Sequence, residues 1–234
     1  MTNILGIVGG LGPLASAEFV KTIYEYNVGD IEQDSPIVLL HSDPSFPDRT
    51  EAFIRGDDDP LLAQLIESLD KLLDMGATQL VICCITMHYL TTRLPVHLQE
   101  KLISLVDVAL MNVVPERGSH LLICSNGTRA MRIFERNGRW PLVHKHIVMP
   151  DEADQSMIHG MLYRAKRPGG VDLILPDVEA LLAKYRVNSL ICGCTEMHPV
   201  TKHIMSHTDR NRDYVCIVDP LLILAQHVGV LAHE

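Results

Sequence analysis

The chain has 234 residues, 47% of them hydrophobic, and a formal net charge of −9 at pH 7. That length holds one large domain or two small ones around a substantial core, and the acidic balance argues against a general nucleic-acid surface. No apolar run approaches the roughly 18 residues of a membrane span, the N-terminus lacks the basic and long apolar regions of a signal peptide, and six cysteines without scaffold spacing fit a reducing compartment, so a cytoplasmic protein is expected.

Residues 4–8 are a short apolar run that reads as the first strand of a parallel sheet. They enter Gly9-Gly10-Leu11-Gly12-Pro13-Leu14-Ala15-Ser16. The glycines let backbone amides approach a ligand, and Pro13 suits a first helical turn, so a helix is expected over 13–27. Its open N–H groups favour an anion, although an ordinary strand-to-helix turn has the same composition. The spacing Gly10-x-Gly12-x-x-Ala15 also touches the dinucleotide fingerprint. The acidic partner about 20 positions on is missing, because the next strand, 37–41, comes later and Asp43 follows it.

Next comes Pro47-Asp48-Arg49-Thr50, a loop at the carboxyl end of that strand. An arginine there can hold a carboxylate through two parallel hydrogen bonds; alone it is equally a solvated loop residue. The acidic turn 57–60 reads as a helix start. Leu61, Leu62, Leu65, Ile66, Leu69, Leu72 and Leu73 then recur with helical period up to Gly76. A strand over 80–83 follows, then a helix over 96–109 leading into the second half. There, 120–124 reads as a strand ending in Ser125-Asn126-Gly127-Thr128, followed by a helix over 128–137, a strand over 144–148 and a helix over 151–166. Arg164, Lys166 and Arg167 close that helix, where cations compensate the dipole. A helix over 176–185, a strand over 190–193, a last strand over 214–220 and a closing helix over 221–231 complete the chain. The closing helix is expected to pack back on the first half.

One phrase occurs twice. Leu80-Val81-Ile82-Cys83-Cys84-Ile85-Thr86-Met87-His88 is matched by Leu190-Ile191-Cys192-Gly193-Cys194-Thr195-Glu196-Met197-His198. Such a repeat predicts two similar α/β domains, each a parallel sheet flanked by helices, related by a pseudo-two-fold axis. The expected division is residues 1–97 plus 210–234 for one domain and 98–209 for the other. Ligands of α/β sheets bind beyond the carboxyl ends of strands, so Cys84 and Cys194 face the cleft between the halves. There, a thiolate can remove a proton from one face of a carbon while a thiol returns one to the other face. Cys83, Cys124, Cys192 and Cys216 lie inside apolar runs and read as core.

The chain resembles the aspartate/glutamate racemase family, the cofactor-independent amino-acid racemases. The motifs carrying the resemblance are Gly9-Gly10-Leu11-Gly12-Pro13-Leu14-Ala15, Pro47-Asp48-Arg49-Thr50, Cys84-Ile85-Thr86-Met87-His88, Gly127-Thr128 and Gly193-Cys194-Thr195-Glu196, with support from Asp219-Pro220. The resemblance implies an isomerase that racemises a small amino acid, aspartate or glutamate, without cofactor or metal. It implies Cys84 and Cys194 as catalytic pair, Arg49 and Lys166 as carboxylate holders, and a homodimer. Substrate contacts are expected from Gly10, Leu11, Gly12, Ile85, Thr86, Thr128, Thr195 and Glu196. Ile85 departs from the family, which usually has asparagine there, and isoleucine cannot hydrogen-bond.

Three other readings compete. Cys84, His88, Cys194 and His198 form a zinc-like donor set, but Cys-x3-His twice is not a common structural-zinc spacing. A hydantoin racemase or maleate isomerase would keep the fold and both cysteines. A binding protein would keep the cleft without turnover.

Overall fold

Two sheets of four parallel strands carry the chain, because its apolar runs are continuous rather than alternating and so suit strands covered on both faces. The computed structural model describes residues 3–207 and 215–231. The first sheet comprises β1 (Ile4–Gly9), β2 (Ile37–Ser42), β3 (Gln79–Ile82) and β4 (Leu102–Ile103) in the order β2-β1-β3-β4. The second comprises β5 (His120–Cys124), β6 (Ile147–Val148), β7 (Ser189–Gly193) and β8 (Cys216–Val218) in the order β6-β5-β7-β8. The strand orders are therefore equivalent, and so is the register: Leu80 faces Leu102 across β3 and β4, and Leu190 faces Ile217 across β7 and β8. The repeated phrase occupies the same place in both sheets.

Helices α1 (Pro13–Tyr26), α2 (Arg49–Arg55), α3 (Asp59–Asp74), α4 (Val96–Gln99) and α5 (Leu105–Met111) accompany the first half. The second carries α6 (Asn126–Ala130), α7 (Trp140–Val143), α8 (Glu152–Ala165), α9 (Gly170–Tyr185), α10 (Met197–His207) and α11 (Pro220–Leu231). On α3, Leu61, Leu65, Leu69 and Leu72 are fully or almost fully buried while Glu67 and Lys71 pair on the solvent side. The helix is thus held by its apolar face rather than by propensity. One core lies between this helix and the first sheet, and a second lies between α8, α9 and the second sheet. A third joins the halves: Ile7, Val81 and Ile85 share it with Leu122, Ile191 and Val218, together with Leu105, Leu221 and Leu224.

Several expectations are corrected. The helix expected over 96–109 is broken into α4 and α5 by β4, because Leu102 and Ile103 pair with Leu80 and Val81. The first sheet thus extends past residue 97. Its counterpart β8 pairs with β7, so residues 216–218 join the second sheet and not the first half. Helix α11 does pack across on α1, and the Asn27 amide donates to the Ala225 carbonyl at 2.7 Å. The start of the last expected strand, Tyr214, lies outside the described residues. The helix expected over 128–137 is only the five-residue α6 followed by turns, with Arg132 at φ 52°. The strand expected over 144–148 shortens to β6 after a 3-10 turn. Helix α9 begins at Gly170 and carries Pro176 inside it.

Candidate functional site

The carboxyl ends of β1, β3, β5 and β7 meet at one cleft. It has about 340 Å³ of empty space with open solvent included, and is lined by both Cys84 and Cys194. Each follows an inner strand directly: Cys84 stands two residues beyond β3 in an extended conformation, and Cys194 one residue beyond β7. Both are nearly buried. Downstream the copies diverge. Ile85–Arg93 winds as a 3-10 turn, whereas Met197 starts α10.

The Cys194 thiol donates to Glu196 Oε2 at 2.7 Å. Burial, the Glu196 charge and that hydrogen bond push this thiol well above its ordinary value, so Cys194 is protonated at neutral pH. The Glu196 Oε1 atom faces Lys166 Nζ at 3.8 Å, and that ammonium sits 4.2 Å from the Tyr163 ring centre. Gly12 is what admits this carboxylate, since a Cβ at that position would collide with Glu196 Oε1. At Gly10, with φ 84°, a Cβ would collide with the Asp43 backbone.

Arg49 opens α2, and its Nη2 donates to the Leu11 carbonyl at 2.6 Å. Burial by itself lowers the affinity of this guanidinium for its proton, but electrostatic interaction with Cys84, Asp48 and Glu196 outweighs burial and raises it. Asp48 caps α2 by accepting from the Glu51 amide through Oδ1, and its Oδ2 accepts from the Tyr163 hydroxyl of α8. Burial would push the Asp48 carboxyl up; the Tyr163 hydroxyl, the Glu51 amide and Arg49 outweigh it and hold it below its usual range. The same contact, after burial, pushes the Tyr163 phenol well above its ordinary value. This hydrogen bond joins the two halves within the lining of the cleft.

A third cluster is neutral. Thr86 Oγ1 lies 3.0 Å from both Ser125 Oγ and Thr128 Oγ1, and Ser125 caps α6 by accepting from the Thr128 amide at 3.1 Å. Gly127 makes the approach possible, because a Cβ there would stand 2.8 Å from Thr50 Oγ1 and 2.9 Å from Thr86 Cγ2. The cleft therefore holds two cations, two carboxylates, two sulfurs and a patch of hydroxyls.

The two histidines of the repeated phrase turn away from the cleft. His88 Nε2 accepts from the Leu105 amide at 3.0 Å, so its Nδ1 carries the proton and donates to the Cys84 carbonyl at 3.1 Å. His198 Nδ1 donates to Asp219 Oδ2 at 2.7 Å, and its Nε2 meets Thr22 Oγ1 at 2.9 Å. No group of three or more His, Cys, Asp or Glu side chains arranged to hold a metal occurs among the described residues. Burial lowers the His88 pKa to about 4 from an ordinary 6.5. Between those values an unfolded chain binds a proton that the folded one does not. Stability contributed here is complete above pH 6.5 and is lost as pH falls toward 4. From pH 7 to pH 5 the loss is expected to be about 2 kcal/mol, at about 1.4 kcal/mol per pKa unit. Urea unfolding at both pH values should show it in the wild type and show about that much less in His88→Asn. Equal losses would mean that other groups set the slope.

The profile of the Asp/Glu/Hydantoin racemase family matches residues 8–228. The chain belongs to this racemase family. The fold is similar to that of Picrophilus torridus aspartate racemase, with a TM-score of 0.82 at 22% identity over 99% of this chain and 94% of that one. It is also similar to glutamate racemase from Francisella tularensis subsp. tularensis SCHU S4 in complex with D-glutamate, with a TM-score of 0.61 at 17% identity over 100% and 81%. Allantoin racemase from Klebsiella pneumoniae gives 0.56 at 12% identity over 99% and 88%. No helix among the described residues is long and apolar enough to cross a membrane.

In this member of the racemase family, Leu11, Arg49, Cys84, Thr86, Lys166, Cys194 and Glu196 line the cleft together. Gly12 lines an adjoining crevice with Lys166 and Glu196. Gly10 supports the turn, Thr128 bonds to Thr86 from behind, and Thr195 donates to the Cys83 carbonyl at 3.3 Å. Ile85 is buried in the core that joins the halves, against such residues as Leu105 and Val106. Its apolar side chain suits that position, and hydrogen bonding beside Cys84 falls to the Thr86 hydroxyl.

Asp48, Thr50, Ser125, Leu162 and Tyr163 also line the cleft and were not singled out from sequence. Asp48 and Thr50 flank Arg49, and Tyr163 stands one turn before Lys166 on the same helix, so neighbourhood was the available signal. Tyr163→Phe is expected to loosen the clasp on Asp48. One partly exposed hydrogen bond is worth about 1 kcal/mol, so iodoacetamide should alkylate the cleft thiols about fivefold faster, as followed by mass spectrometry. An unchanged rate would show that the clasp does not keep the cleft shut.

Proposed function

We propose that this protein racemises an acidic amino acid, aspartate or glutamate, by proton transfer between Cys84 and Cys194 without pyridoxal phosphate or another cofactor. The observation that carries this reading is the placement of both cysteines, from equivalent positions in the two sheets, in the lining of one cleft. In one direction the Cys84 thiolate takes the α-hydrogen, and the C–H electron pair passes into the α-carboxylate. The Cys194 thiol then gives its proton to the opposite face of the carbon. Cys84 ends as the thiol and Cys194 as the thiolate, and the reverse reaction exchanges the roles.

The surroundings support these assignments. Arg49 and Lys166 suit a substrate with two carboxylates, because two buried anions need matching cations. The Thr86, Ser125 and Thr128 hydroxyls suit the α-carboxylate, on which charge develops in the transition state. Glu196 suits the α-ammonium and accepts the Cys194 proton when that thiol must act as base. The carboxylates that form the resting clasp, Asp48 with Tyr163 and Glu196 with Lys166, would release those partners to the substrate. A cytoplasmic homodimer with the two halves as domains belongs to the same proposal.

The test is incubation in D2O with L-aspartate, L-glutamate and a panel of other amino acids, adding no cofactor. Loss of the α-proton signal with appearance of the D-isomer on a chiral column is the expected result. No exchange with any amino acid would overturn it, and turnover of a hydantoin or of maleate would then assign the cleft to one of those reactions.

A further inference from the structure

A second cavity adjoins the turn that follows Cys84, and its lining shares no residue with that of the cleft. It is larger, about 600 Å³ with open solvent included, and three stretches wall it: the 3-10 turn after Cys84, the start of α5 and the loop after α6. Its one charged lining side chain is Arg136. No carboxylate among the described residues pairs with that guanidinium, whereas its neighbour Arg139 pairs with Asp107 at 3.5 Å. Arg136 is held instead over the Tyr89 ring, 5.2 Å from its centre, and Phe53 braces that ring edge-on at 4.9 Å. The cation is therefore positioned without being neutralised.

The rest of the wall is mixed. Thr92 and Ser104 offer neutral hydrogen-bonding groups, and Ile133 and Val106 form an apolar side, while the Asn137 side chain is already engaged, its amide donating to Asp107 Oδ1 at 3.1 Å and its Oδ1 accepting from the Arg139 amide at 2.9 Å. A cavity with apolar walls and a few convergent polar groups is the usual form of a small-molecule site. A guanidinium with no carboxylate partner recognises carboxylate or phosphate. In a chain of net charge −9, anion binding must rest on such a local feature. The floor of the cavity is His88, whose Nδ1–H holds the Cys84 carbonyl.

We propose that this cavity is a second ligand site, for a small organic anion with one carboxylate or phosphate head and a compact apolar body. Its occupant couples to the cleft through His88 and the backbone of Cys84. The head lies at Arg136, the body against Ile133 and Val106.

Calorimetric titration of the whole protein with inorganic phosphate, citrate and phenyl phosphate tests it. Phenyl phosphate above phosphate would show the apolar wall in use, and citrate above both would assign a carboxylate head. Arg136→Gln, an exposed position outside the cleft, is expected to weaken binding at least tenfold, while Arg132→Gln, an equal loss of charge on the same loop, leaves it unchanged. Saturating anion is expected to change the alkylation rate of Cys84 at least twofold in the wild type and not in Arg136→Gln. Both readouts are independent of racemase activity. No binding by any of the three anions, or equal weakening by the two arginine variants, would overturn the site. Binding with an unchanged Cys84 rate would overturn the coupling.

Discussion

Cys84→Ala and Cys194→Ala are each expected to reduce two-way racemisation by about a thousandfold, the scale of a lost acid–base group. Both side chains are small and nearly buried, and removing one sulfur leaves only a small void, so the fold should persist and the loss should be chemical. The diagnostic result is asymmetric. A variant keeping Cys194 should still exchange the α-hydrogen of the enantiomer that presents it to Cys194, with deuterium entering and no inversion. The variant keeping Cys84 should exchange the other enantiomer. Single-turnover NMR in D2O with each pure isomer separates the four cases. Full racemisation by both variants would sink the two-thiol mechanism while leaving the family membership untouched.

His198→Phe is expected to cost about 3 kcal/mol of stability. His198 is completely buried and Asp219 almost so. Their hydrogen bond ties α10 to the loop between β8 and α11, while the other Asp219 oxygen accepts from the Leu221 and Leu222 amides. Phenylalanine keeps the ring volume, including the edge contact with Phe19 at 6.2 Å, but leaves Asp219 Oδ2 and the Thr22 hydroxyl without that ring. A buried charged group stripped of its partner loses about 3 kcal/mol or more. With an m-value of about 3 kcal/mol per M, the urea midpoint should fall by about 1 M. An unchanged midpoint would show that the ring and the carboxylate contribute nothing net over a well-packed apolar pair.

How far the residues alone reached can be seen at particular elements. Strands β1, β3, β5 and β7 are inner strands with four to six consecutive residues covered on both faces, so their runs were plain. Strand β4 has two residues and no period, and only pairing with Leu80 and Val81 defines it. Pro176 reads as a helix start because proline suits a first turn, yet α9 begins six residues earlier, after Gly169 in the left-handed region. At the cleft, Cys84, Cys194 and Arg49 were legible because the repeat and the motifs place them, and Lys166 was reached only through the family resemblance. Tyr163 and Asp48 were not, because their meaning lies in a hydrogen bond between residues 115 positions apart. Ile85 showed as a departure in the sequence, but only the packing around it shows that its side chain serves the core.

The core that joins the halves bears on synthesis. Leu221, Leu224, Ala225 and Val228 of α11 enter it alongside Phe19 and Ile23 of α1 and Leu105 of α5. A chain emerging from the ribosome can pair β1 to β4 early, but the apolar faces of α1 and α5 are completed only by the second half, α1 by α10 and α11 and α5 by β7 and α11, so the last of that cover waits for residues 220–231. The first half therefore waits through more than a hundred residues of translation with a hydrophobic surface open to chaperones or to misassociation. The final helix is the step that closes both sheets into one molecule.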